Sequence, residues 1–556
     1  MRIAVDPDGE GGGRLAELAP SGLRGAVAEV GDLADAIAEH EAGAAEGVRW
    51  VWADTSEAYP PLLGRGVQVG RCHDVGLVEA LLLAHDGRLG EPHALGAAWA
   101  RLHGREVPPD PVRRTGHGGE EEQPALFAAE SGTLPPGADR LAALAEVHAD
   151  QRKRISALPD PGRFALLCAV ESAGALAAAE MRRTGIPWSA AAHDRLLTAQ
   201  LGARPPGGAR PAVLAGLVEE VSAALGREVN PDSPAQLIKA FAAAGHDVPS
   251  TRSEVLKGVD HPAVRPLLRY KELARLHSAH GWAWLDAWVR SGRFRPDYVV
   301  GGVVSGRWAT RGGGALQIPK AVRGAIIADP GWRLVSADAG QLEPRILAAI
   351  SRDAALARAA GADDLYARLA GAFGGDRQRA KIGLLAAMYG QTGGDAAPLL
   401  GVLRRAYPRA IGFLDRAAEE GERGGLVRSW LGRTCPPPSP GWRNTVAEGG
   451  PGAGGAARSR GRFTRNFTVQ ATAAEWALVF MAAVRRGLAG MDASDGRPEI
   501  VFFQHDELVM HVPARLAEET AALARRAADE AGRVMFGEGP VRFPLDVSVV
   551  DCYADA

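Results

Sequence analysis

Two acidic positions, each directly following an apolar run, most constrain how this chain can fold. Asp338 follows the run 332–337, and Asp506 lies between the runs 499–503 and 508–512. Such runs predict buried strands, with Asp338 at a strand end and Asp506 at the tip of a hairpin. If one sheet brings these ends together, the two carboxylates form a site for paired divalent metal ions and phosphoryl chemistry.

A single Asp after a strand is more often an N-cap or a turn residue than a metal ligand. The two positions lie 168 residues apart in the sequence, so their spacing alone does not indicate a joint site. The metal-site interpretation therefore requires a further element that could hold a phosphorylated substrate.

That element is the helical segment 377–390. Residues four apart on a helix lie on one face, so Arg377, Lys381, Leu385 and Tyr389 form a stripe of two cations, an apolar platform and an aromatic ring. Such a stripe suits a nucleoside triphosphate, because the cations can neutralise its phosphates. An ordinary amphipathic helix is the alternative when the segment is taken alone.

Length and composition set the broad class of protein. A chain of 556 residues is too long for one hydrophobic core, so we expect several domains. No stretch approaches 18 uninterrupted apolar residues and the N-terminus lacks the apolar core of a secretory signal, so we expect a cytoplasmic protein without a membrane span. The scattered cysteines argue against a disulfide framework or a structural zinc site.

Charge gives a local signal and no global one. The net charge of -2 lacks the basic excess of a dedicated nucleic-acid binder. The Gly-rich segment 443–465, however, carries five arginines against one acidic residue, Glu448. We interpret it as a mobile basic loop that could meet phosphates, with a solvated low-complexity insertion as the alternative.

Six motifs in order resemble those of the family A DNA polymerases, the group of bacterial DNA polymerase I. Residues 338–345 resemble the family's D-Y-S-Q-I-E-L-R, 377–390 its R-x3-K-x3-F-x3-Y-G, and 504–507 its V-H-D-E. Residues 305–307, 316–319 and 462–475 are similar to T-G-R, L-Q-N-I-P and R-x3-N-x3-Q-G-T-A-A-D. The resemblance runs from about Glu171 to the C-terminus and implies template-directed DNA synthesis in repair or replication.

The resemblance also implies roles for single residues. Asp338 and Asp506 would hold two Mg²⁺ ions, or Mn²⁺ in their place, and would act in catalysis with Lys381 and Glu507. The implied nucleotide contacts come from Arg377, Lys381, Leu385, Tyr389, Gln341 and Glu343, with Glu343 as the steric gate that rejects a ribose 2′-hydroxyl. The implied DNA contacts come from Arg307, Gln317, Arg345, Arg462, Asn466, Gln470 and His505.

The implied fold is an α/β and α+β multidomain chain with a right-hand polymerase. We expect a ribonuclease H-like α/β domain over 1–160, a thumb over 161–295, palm segments over 296–352 and 490–556, and fingers over 353–489. The partners implied are primer-template DNA and deoxynucleoside triphosphates. We expect a monomer associated with the nucleoid.

Some residues depart from the family pattern. Leu385 stands where the family has an aromatic residue, and Ala339 and Gly340 replace Tyr and Ser. Pro344 follows the gate residue and cannot donate a backbone hydrogen bond, so the helix must begin near Glu343 or bend there. None of these changes removes a carboxylate or a cation, so we expect activity with altered selectivity or speed.

The N-terminal region occupies the place of the family's 3′-5′ exonuclease domain. That activity needs a D-x-E carboxylate pair after the first strand. Here Asp6 and Asp8 are two carboxylates without that pattern. We expect a degenerate, structural domain with no exonuclease activity, and no room for a 5′-nuclease domain. The alternatives are a polymerase with weak 3′-5′ proofreading and a non-catalytic primer-template binding protein.

Overall fold

The computed structural model of this protein describes residues 1–20, 22–43, 47–111, 134–391, 393, 396–450 and 452–556. The chain forms two compact units. The first comprises Met1–Arg183, Asp297–Arg311 and Val335–Val549, and the second comprises Thr184–Pro296, Gly312–Leu334 and Val550–Ala556. The borders of thumb, palm and fingers within this division stay predictions.

The strands of the described residues range from two to nine residues in length. In chain order they are β1 (Arg2–Pro7), β2 (Gly13–Ala19), β3 (Gly22–Val30), β4 (Arg49–Trp52), β5 (Arg71–Asp74), β6 (Ile186–Pro187), β7 (Val289–Arg290), β8 (Arg293–Phe294), β9 (Tyr298–Val299), β10 (Ala309–Thr310), β11 (Trp332–Ala339), β12 (Glu499–Gln504), β13 (Glu507–Pro513) and β14 (Leu545–Val550).

Helices make up most of the remaining regular structure. They are α1 (Leu33–Gly43), α2 (Thr55–Gly64), α3 (Val75–His85), α4 (Leu95–Leu102), α5 (Arg140–Ser156), α6 (Pro161–Thr184), α7 (Ala190–Leu201), α8 (Ala212–Ala224), α9 (Pro234–Ala243), α10 (Ser253–Leu256), α11 (Val264–His280), α12 (Trp282–Trp288), α13 (Lys320–Arg323), α14 (Leu342–Ser351), α15 (Ala354–Ala359), α16 (Leu365–Leu369), α17 (Arg377–Tyr389), α18 (Ala396–Ala406), α19 (Pro408–Glu422), α20 (Pro440–Ala447), α21 (Ala453–Ala489) and α22 (Ala517–Phe536).

The N-terminal part of the first unit is built on a five-stranded sheet in the order β3-β2-β1-β4-β5. Strand β1 pairs antiparallel with β2 and parallel with β4, and β4 pairs parallel with β5. Successive residues of β4 enter different cores, because side chains alternate between the faces of a strand: Trp50 and Trp52 pack in one cluster and Val51 in another. Both faces of the sheet are thus buried, which confirms the predicted α/β pattern.

A second sheet of the first unit has the order β12-β13-β11-β14. Strands β12 and β13 form an antiparallel hairpin in which Gln504 pairs with Glu507 across a two-residue turn. His505 has φ 59°, and a positive φ at the first turn residue lets a short hairpin turn follow the twist of its strands. The strand at 332–337 and the hairpin around Asp506 are therefore confirmed, with slightly longer strands.

The segment predicted to be a mobile basic loop is helical, so that prediction is wrong. Residues 440–447 form α20, and 453–489 form the single long helix α21. The C-terminal two thirds of α21 are buried along nearly their whole length. Burial of that apolar part stabilises the C-terminal part of the helix. Extending an existing helix toward its N-terminus then costs little free energy, even through glycines.

The second unit is mainly helical, with a small sheet in the order β6-β8-β7. Its largest core lies between α8, α9 and α11, where Val221, Phe241 and Leu267 are buried together. Trp284 packs its ring against Trp188 and Phe294, with centroids 5.0 Å apart in both pairs. This unit also carries Gln317, which is exposed.

Among the described residues, two helices, α6 and α21, are long and apolar enough to cross a membrane by length and composition alone. In the most apolar window of each, 61% and 89% of the residues are buried inside the protein. Core helices show the same property, so this finding is weak evidence for a membrane span.

Candidate active site

The two predicted metal carboxylates lie at adjacent strand ends of the β12-β13-β11-β14 sheet. Asp338 is the penultimate residue of β11, and Asp506 is the second residue of the turn between β12 and β13. The backbone N–H of Ala339 donates to the carbonyl of Asp506 over 3.3 Å. This bond joins the two acidic segments directly, so the sheet brings together what the sequence separates.

Electrostatics at this point disfavour negative charge. Burial, followed by the charge of Asp338, raises the pKa of Asp506 to about 7. The pKa of Asp338 is also raised, by partial burial and then by the charges of Glu507 and Asp546. Two carboxylates that repel each other in a partly desolvated site are stabilised by a divalent cation, which favours their charged forms.

Glu507 and Asp546 lie beside this pair. Glu507 begins β13, and its Oε1 accepts a hydrogen bond from the Ser336 hydroxyl over 2.8 Å. Asp546 is exposed on β14, the neighbour of β11 in the sheet. Sequence reasoning missed Asp546, since nothing in the local pattern of 541–550 shows that this strand pairs with the one that carries Asp338.

The residues present fit a metal bound jointly by protein and substrate. Among the residues that the structure describes, no group of three or more His, Cys, Asp or Glu side chains could hold a metal ion by itself. Mg²⁺ is commonly held by one or two carboxylates, with water and substrate phosphate oxygens completing its octahedron. Asp338 and Asp506 match that pattern and do not match a closed structural site.

Helix α17 presents the predicted stripe on one face. Arg377, Lys381 and Tyr389 are exposed and Leu385 is half-buried. Lys381 forms no ion pair with any described residue, so its ammonium is available to an anion. Arg377 differs, because its Nε donates to Asp364 Oδ2 over 2.7 Å.

Glu343 lies in the first turn of α14 and is held by two donors. Arg307 Nη2 lies 2.5 Å from its Oε1, and the Tyr389 hydroxyl donates to its Oε2 over 2.9 Å. The helix begins at Leu342, so Pro344 falls in the first turn, where its missing N–H leaves no bond unmade. The expectation that the helix begins near Glu343 is thus confirmed.

Gln341 connects the start of α14 to the start of α16. It adopts a left-handed conformation with φ 59° at the N-terminus of α14. Its amide donates to Asp364 over 3.0 Å and accepts from the backbone of Leu365 over 2.9 Å. Asp364 therefore links Gln341 to Arg377, a connection that the sequence did not reveal.

Arg345 was expected to contact DNA, and the structure contradicts this. The side chain is fully buried, with 0% exposure. Its guanidinium donates to four backbone carbonyls, those of Gly340, Ala360, Asp363 and Arg542. Burial lowers its pKa to about 10, and the carbonyls of three separate segments use its donors, so Arg345 is a structural residue.

The DNA-contact residues expected on α21 occupy a common face. Arg462 is exposed, and Asn466 and Gln470 are half-buried one and two turns later. Gln470 lies near enough to the Tyr389 hydroxyl to act on its pKa, and a Cβ placed on Gly390 would lie 2.8 Å from Arg462. These contacts place the face of α21 against the C-terminal end of α17.

Two other arginines of the same segment are structural. Arg460 is buried and donates to the carbonyls of Gly425 and Pro436, both over 3.1 Å. Arg465 is buried as well and donates to the Ala387 carbonyl over 2.9 Å. Neither can meet a phosphate, which is the second reason why the basic-loop prediction fails.

His505 and Arg307 complete the surroundings of the carboxylate pair. His505 lies at the hairpin tip, where partial loss of solvent around the imidazole, followed by the charge of Arg307, lowers its pKa. The positive charge of Arg307 also favours the ionised form of Asp506. Arg307 thus bonds to Glu343 and acts on the charge of Asp506 as well, a double role that its motif alone did not predict.

Comparisons with known proteins identify the family and the fold of this chain. The family described as DNA polymerase family A matches residues 211–552. The thermostable DNA polymerase I of Thermus filiformis is 28% identical over 328 residues, which cover 53% of this chain and 36% of that protein. DNA polymerase I of Chloroflexus aurantiacus is 28% identical over 306 residues, covering 50% of this chain and 31% of that protein. The chain thus matches only about a third of the length of these relatives.

A solved structure shares the fold. The chain is similar, with a TM-score of 0.70 and 20% sequence identity, to the POL domain of Pol1 from M. smegmatis in complex with DNA primer-template and dNTP. The match covers 100% of this chain and 96% of that one, which confirms the predicted polymerase fold. With more than half of its residues matched to the family, the chain belongs to the family A DNA polymerases.

Proposed function

We propose that this protein is a template-directed DNA polymerase that adds deoxynucleotides to a primer 3′ end. The observation that carries the proposal is the meeting of Asp338 and Asp506 at adjacent strand ends, joined by the Ala339 to Asp506 backbone bond. Family membership supports it. The solved structure with the same fold holds a primer-template and dNTP, so those are the partners that we propose for this chain.

The carboxylate pair would bind two Mg²⁺ ions, with Mn²⁺ as a substitute. Metal ions held by these two carboxylates would supply Lewis-acid activation of the primer 3′-hydroxyl and charge stabilisation at the leaving pyrophosphate. The raised pKa of Asp506 supports this assignment, because it identifies a site where added positive charge is favourable. Glu507, held by Ser336, would orient the hairpin that carries Asp506.

The exposed face of α17 would bind the triphosphate. Lys381 would neutralise it and donate a proton to the leaving pyrophosphate, since its ammonium has no ion-pair partner among the described residues. Arg377 would contribute after exchanging Asp364 for a phosphate oxygen, because the two acceptors compete for the same guanidinium. Movement of α17 toward Asp338 would couple nucleotide fit to chemistry.

Glu343 would be the gate for the sugar. Arg307 and Tyr389 fix both of its oxygens, so the carboxylate is positioned before substrate arrives and can exclude a 2′-hydroxyl. Ala339 and Leu385 leave the neighbouring walls without an aromatic ring. We therefore propose strict sugar discrimination at Glu343 combined with a wider base pocket.

DNA would be contacted by the exposed or half-buried members of the predicted set. These residues are Arg307, Gln317, Arg462, Asn466, Gln470 and His505. Contacts of this kind read duplex shape and backbone position more than base sequence, as template-directed synthesis requires. We propose a monomeric, cytoplasmic, nucleoid-associated enzyme of DNA repair or replication.

Exonuclease activity is the second candidate function, and the N-terminal strand ends argue against it. Asp6 at the end of β1 is paired with Arg14 over 2.6 Å and with Arg140 over 3.1 Å. Asp54 after β4 and Asp74 at the end of β5 cap α2 and α3 by accepting backbone N–H groups. The two arginines occupy the Asp6 carboxylate, which is the residue that would begin an exonuclease site after the first strand, so we propose that the domain is structural.

Extension of a labelled primer on a defined template, with and without deoxynucleotides, tests the proposal. We expect elongation only when deoxynucleotides and Mg²⁺ are present, and no shortening of the primer without nucleotides. Shortening would support a proofreading exonuclease. A gel shift without either change would support a non-catalytic primer-template binding protein and would contradict the proposal.

A further inference from the structure

A buried ion pair contacts the loop 301–307, which ends at Arg307. Arg433 Nη2 and Glu171 Oε2 are 2.6 Å apart, and their side chains are only 8% and 3% exposed. Glu171 belongs to α6, and Arg433 to the turn enclosed by the bridge between Arg428 and Thr434. The pair therefore joins two segments that are far apart in the sequence.

The turn that carries Arg433 is itself fixed by a second buried carboxylate. Glu475 of α21 accepts hydrogen bonds from the Ser429 hydroxyl and, over 3.1 Å, from the backbone N–H of Leu431. Ser429 Oγ in turn accepts from the backbone N–H of Arg433 over 2.8 Å. The position of the Arg433 backbone is thus determined by α21.

Two glycines of the loop pack directly on this pair. A Cβ placed on Gly301 would lie 2.4 Å from Glu171 Oε1, and one placed on Gly306 would lie 2.4 Å from Arg433 Nε. Both glycines have positive φ, 62° and 84°, so a side chain there would be strained as well as in collision. The guanidinium and the carboxylate therefore set the path of the backbone up to the residue before Arg307.

From Arg307 the connection continues to the proposed gate. The backbone N–H of Val303 donates to the Arg307 carbonyl over 3.0 Å, which closes the loop on itself. The Arg307 side chain then holds Glu343 Oε1, whose other oxygen accepts from Tyr389. A chain of direct contacts thus runs from Glu171 and Arg433 through Gly306 and Arg307 to Glu343.

We propose that Glu171 and Arg433 are positioning residues that set Arg307 and, through it, the gate carboxylate of Glu343. A buried ion pair adds little net stability compared with apolar packing, but it fixes geometry through directional bonds. The pair therefore contributes to discrimination between deoxyribonucleotides and ribonucleotides. This inference rests on the proposed polymerase function and on Glu343 as its gate.

The same helix offers a matched control. Glu180, also on α6, pairs with Arg485 over 2.6 Å, and these side chains are 14% and 13% exposed. Arg485 donates to the carbonyl of Val69 and is linked to Tyr59, so this pair holds the N-terminal sheet region and not the Arg307 loop. The two Glu→Gln changes remove equivalent charges at different places.

The measurement is the ratio of kcat/KM for a deoxynucleotide to that for its ribonucleotide in single-nucleotide primer extension, with the thermal midpoint of each variant. We expect Glu171→Gln to lower this ratio by about tenfold, because the gate loses its fixed position. Glu180→Gln should lower the thermal midpoint similarly and leave the ratio within about twofold of the wild-type value. Arg433→Lys, which keeps the charge but loses the fork of the guanidinium, should give an intermediate ratio.

An unchanged ratio in a folded Glu171→Gln protein would overturn the inference, as would an equal fall of the ratio in Glu180→Gln. If Glu171→Gln does not fold, Arg433→Lys with an unchanged ratio overturns it in the same way. A wild-type protein that extends no primer would instead contradict the proposed function, and the inference would fall with it.

Discussion

Carboxylates follow strands in two sheets of the first unit, and the two sheets treat them differently. In the N-terminal sheet, Asp6 is neutralised by Arg14 and Arg140. Asp74 caps a helix there, and burial followed by the charge of Asp54 raises its pKa to about 7. In the β12-β13-β11-β14 sheet, Asp338 and Asp506 adjoin through a backbone bond, and burial followed by neighbouring carboxylates raises the pKa of both.

Asp6 and the Asp338–Asp506 pair thus differ in their partners, because two arginines hold Asp6 and no described cation forms an ion pair with Asp338 or Asp506. Asp6 gains the stability of charged hydrogen bonds and loses the ability to bind a metal ion. Ionised Asp338 and Asp506 lower the stability of the folded protein, but their carboxylates stay available to bind a metal ion. Functional sites commonly combine these two properties. The predictions below test this contrast, beginning with the largest expected effect.

The first prediction concerns catalysis. Asp338→Asn and Asp506→Asn should each lower the rate of primer extension by about 10³-fold or more, because each removes a metal ligand. Affinity for primer-template in a gel shift should change little, since neither carboxylate contacts the DNA backbone in our proposal. Single-turnover extension on a defined template measures the loss.

Asp6→Asn is the control from the other sheet. It should leave extension within about twofold of the wild-type rate, because distant sites act independently. Retained extension in Asp338→Asn or Asp506→Asn would remove the basis for the metal assignment, and a large loss in Asp6→Asn would assign the N-terminal sheet a catalytic role.

The second prediction separates the two cations of α17. Lys381→Ala should lower the extension rate by about 10²-fold, because a free ammonium at the triphosphate is lost. Arg377→Ala should have a smaller effect, since Arg377 is already engaged by Asp364. Arg379→Ala, on another face of the same helix, is the control for a general change in charge. A larger effect at Arg377 than at Lys381 would reverse the assignment.

The third prediction concerns stability in the N-terminal sheet. Asp6→Asn should lower the free energy of unfolding by about 1–2 kcal/mol, because a nearly buried carboxylate loses charged hydrogen bonds from two arginines. Urea denaturation measures the change. A more stable variant would show that Asp6 is a frustrated site like Asp506, and the contrast between the sheets would disappear.

The fourth prediction concerns pH and is the smallest. The pKa of Asp506 is about 7 in the folded protein and about 4 in an unfolded chain. Between these values the folded state binds more protons, so the stability of the metal-free protein should fall as pH rises from about 4 to 7 and then level off.

Asp506→Asn should remove this part of the pH dependence. At pH 8 with a chelator it should stabilise the protein by about 1 kcal/mol, less than the full pKa shift suggests, because the carboxylate is only half-buried. Thermal unfolding across the pH range is the measurement. A wild-type stability that instead rises from pH 4 to 7 by this amount relative to Asp506→Asn would contradict the raised pKa.

The sequence predicted the features that depend on local patterns. Apolar runs predicted the strand that carries Asp338 and the hairpin at Asp506. The spacing of four residues between Arg377, Lys381, Leu385 and Tyr389 predicted the exposed face of α17. Motifs in order then predicted the family and the polymerase fold. Local periodicity and motif order do not depend on which distant segments pack together, so they can be read directly.

The failures were features that depend on packing between distant segments. Arg345 resembles a DNA-binding residue in sequence, yet it is buried because carbonyls from 340, 360–363 and 542 converge on it. The Gly-rich composition of 443–465 predicted a loop, although the buried continuation of α21 holds 453–465 helical. The pairing of Glu171 with Arg433 spans 262 residues, and no local signal could have found it.

Binding of Mn²⁺, measured by electron paramagnetic resonance, tests the central contrast most directly. The full chain would be held on primer-template with a non-hydrolysable deoxynucleotide, and the wild-type protein would be compared with Asp506→Asn and Asp6→Asn. We predict that Asp506→Asn weakens Mn²⁺ binding at least about tenfold while Asp6→Asn binds as the wild type does. Unchanged binding in Asp506→Asn, or weakened binding in Asp6→Asn, would contradict this account.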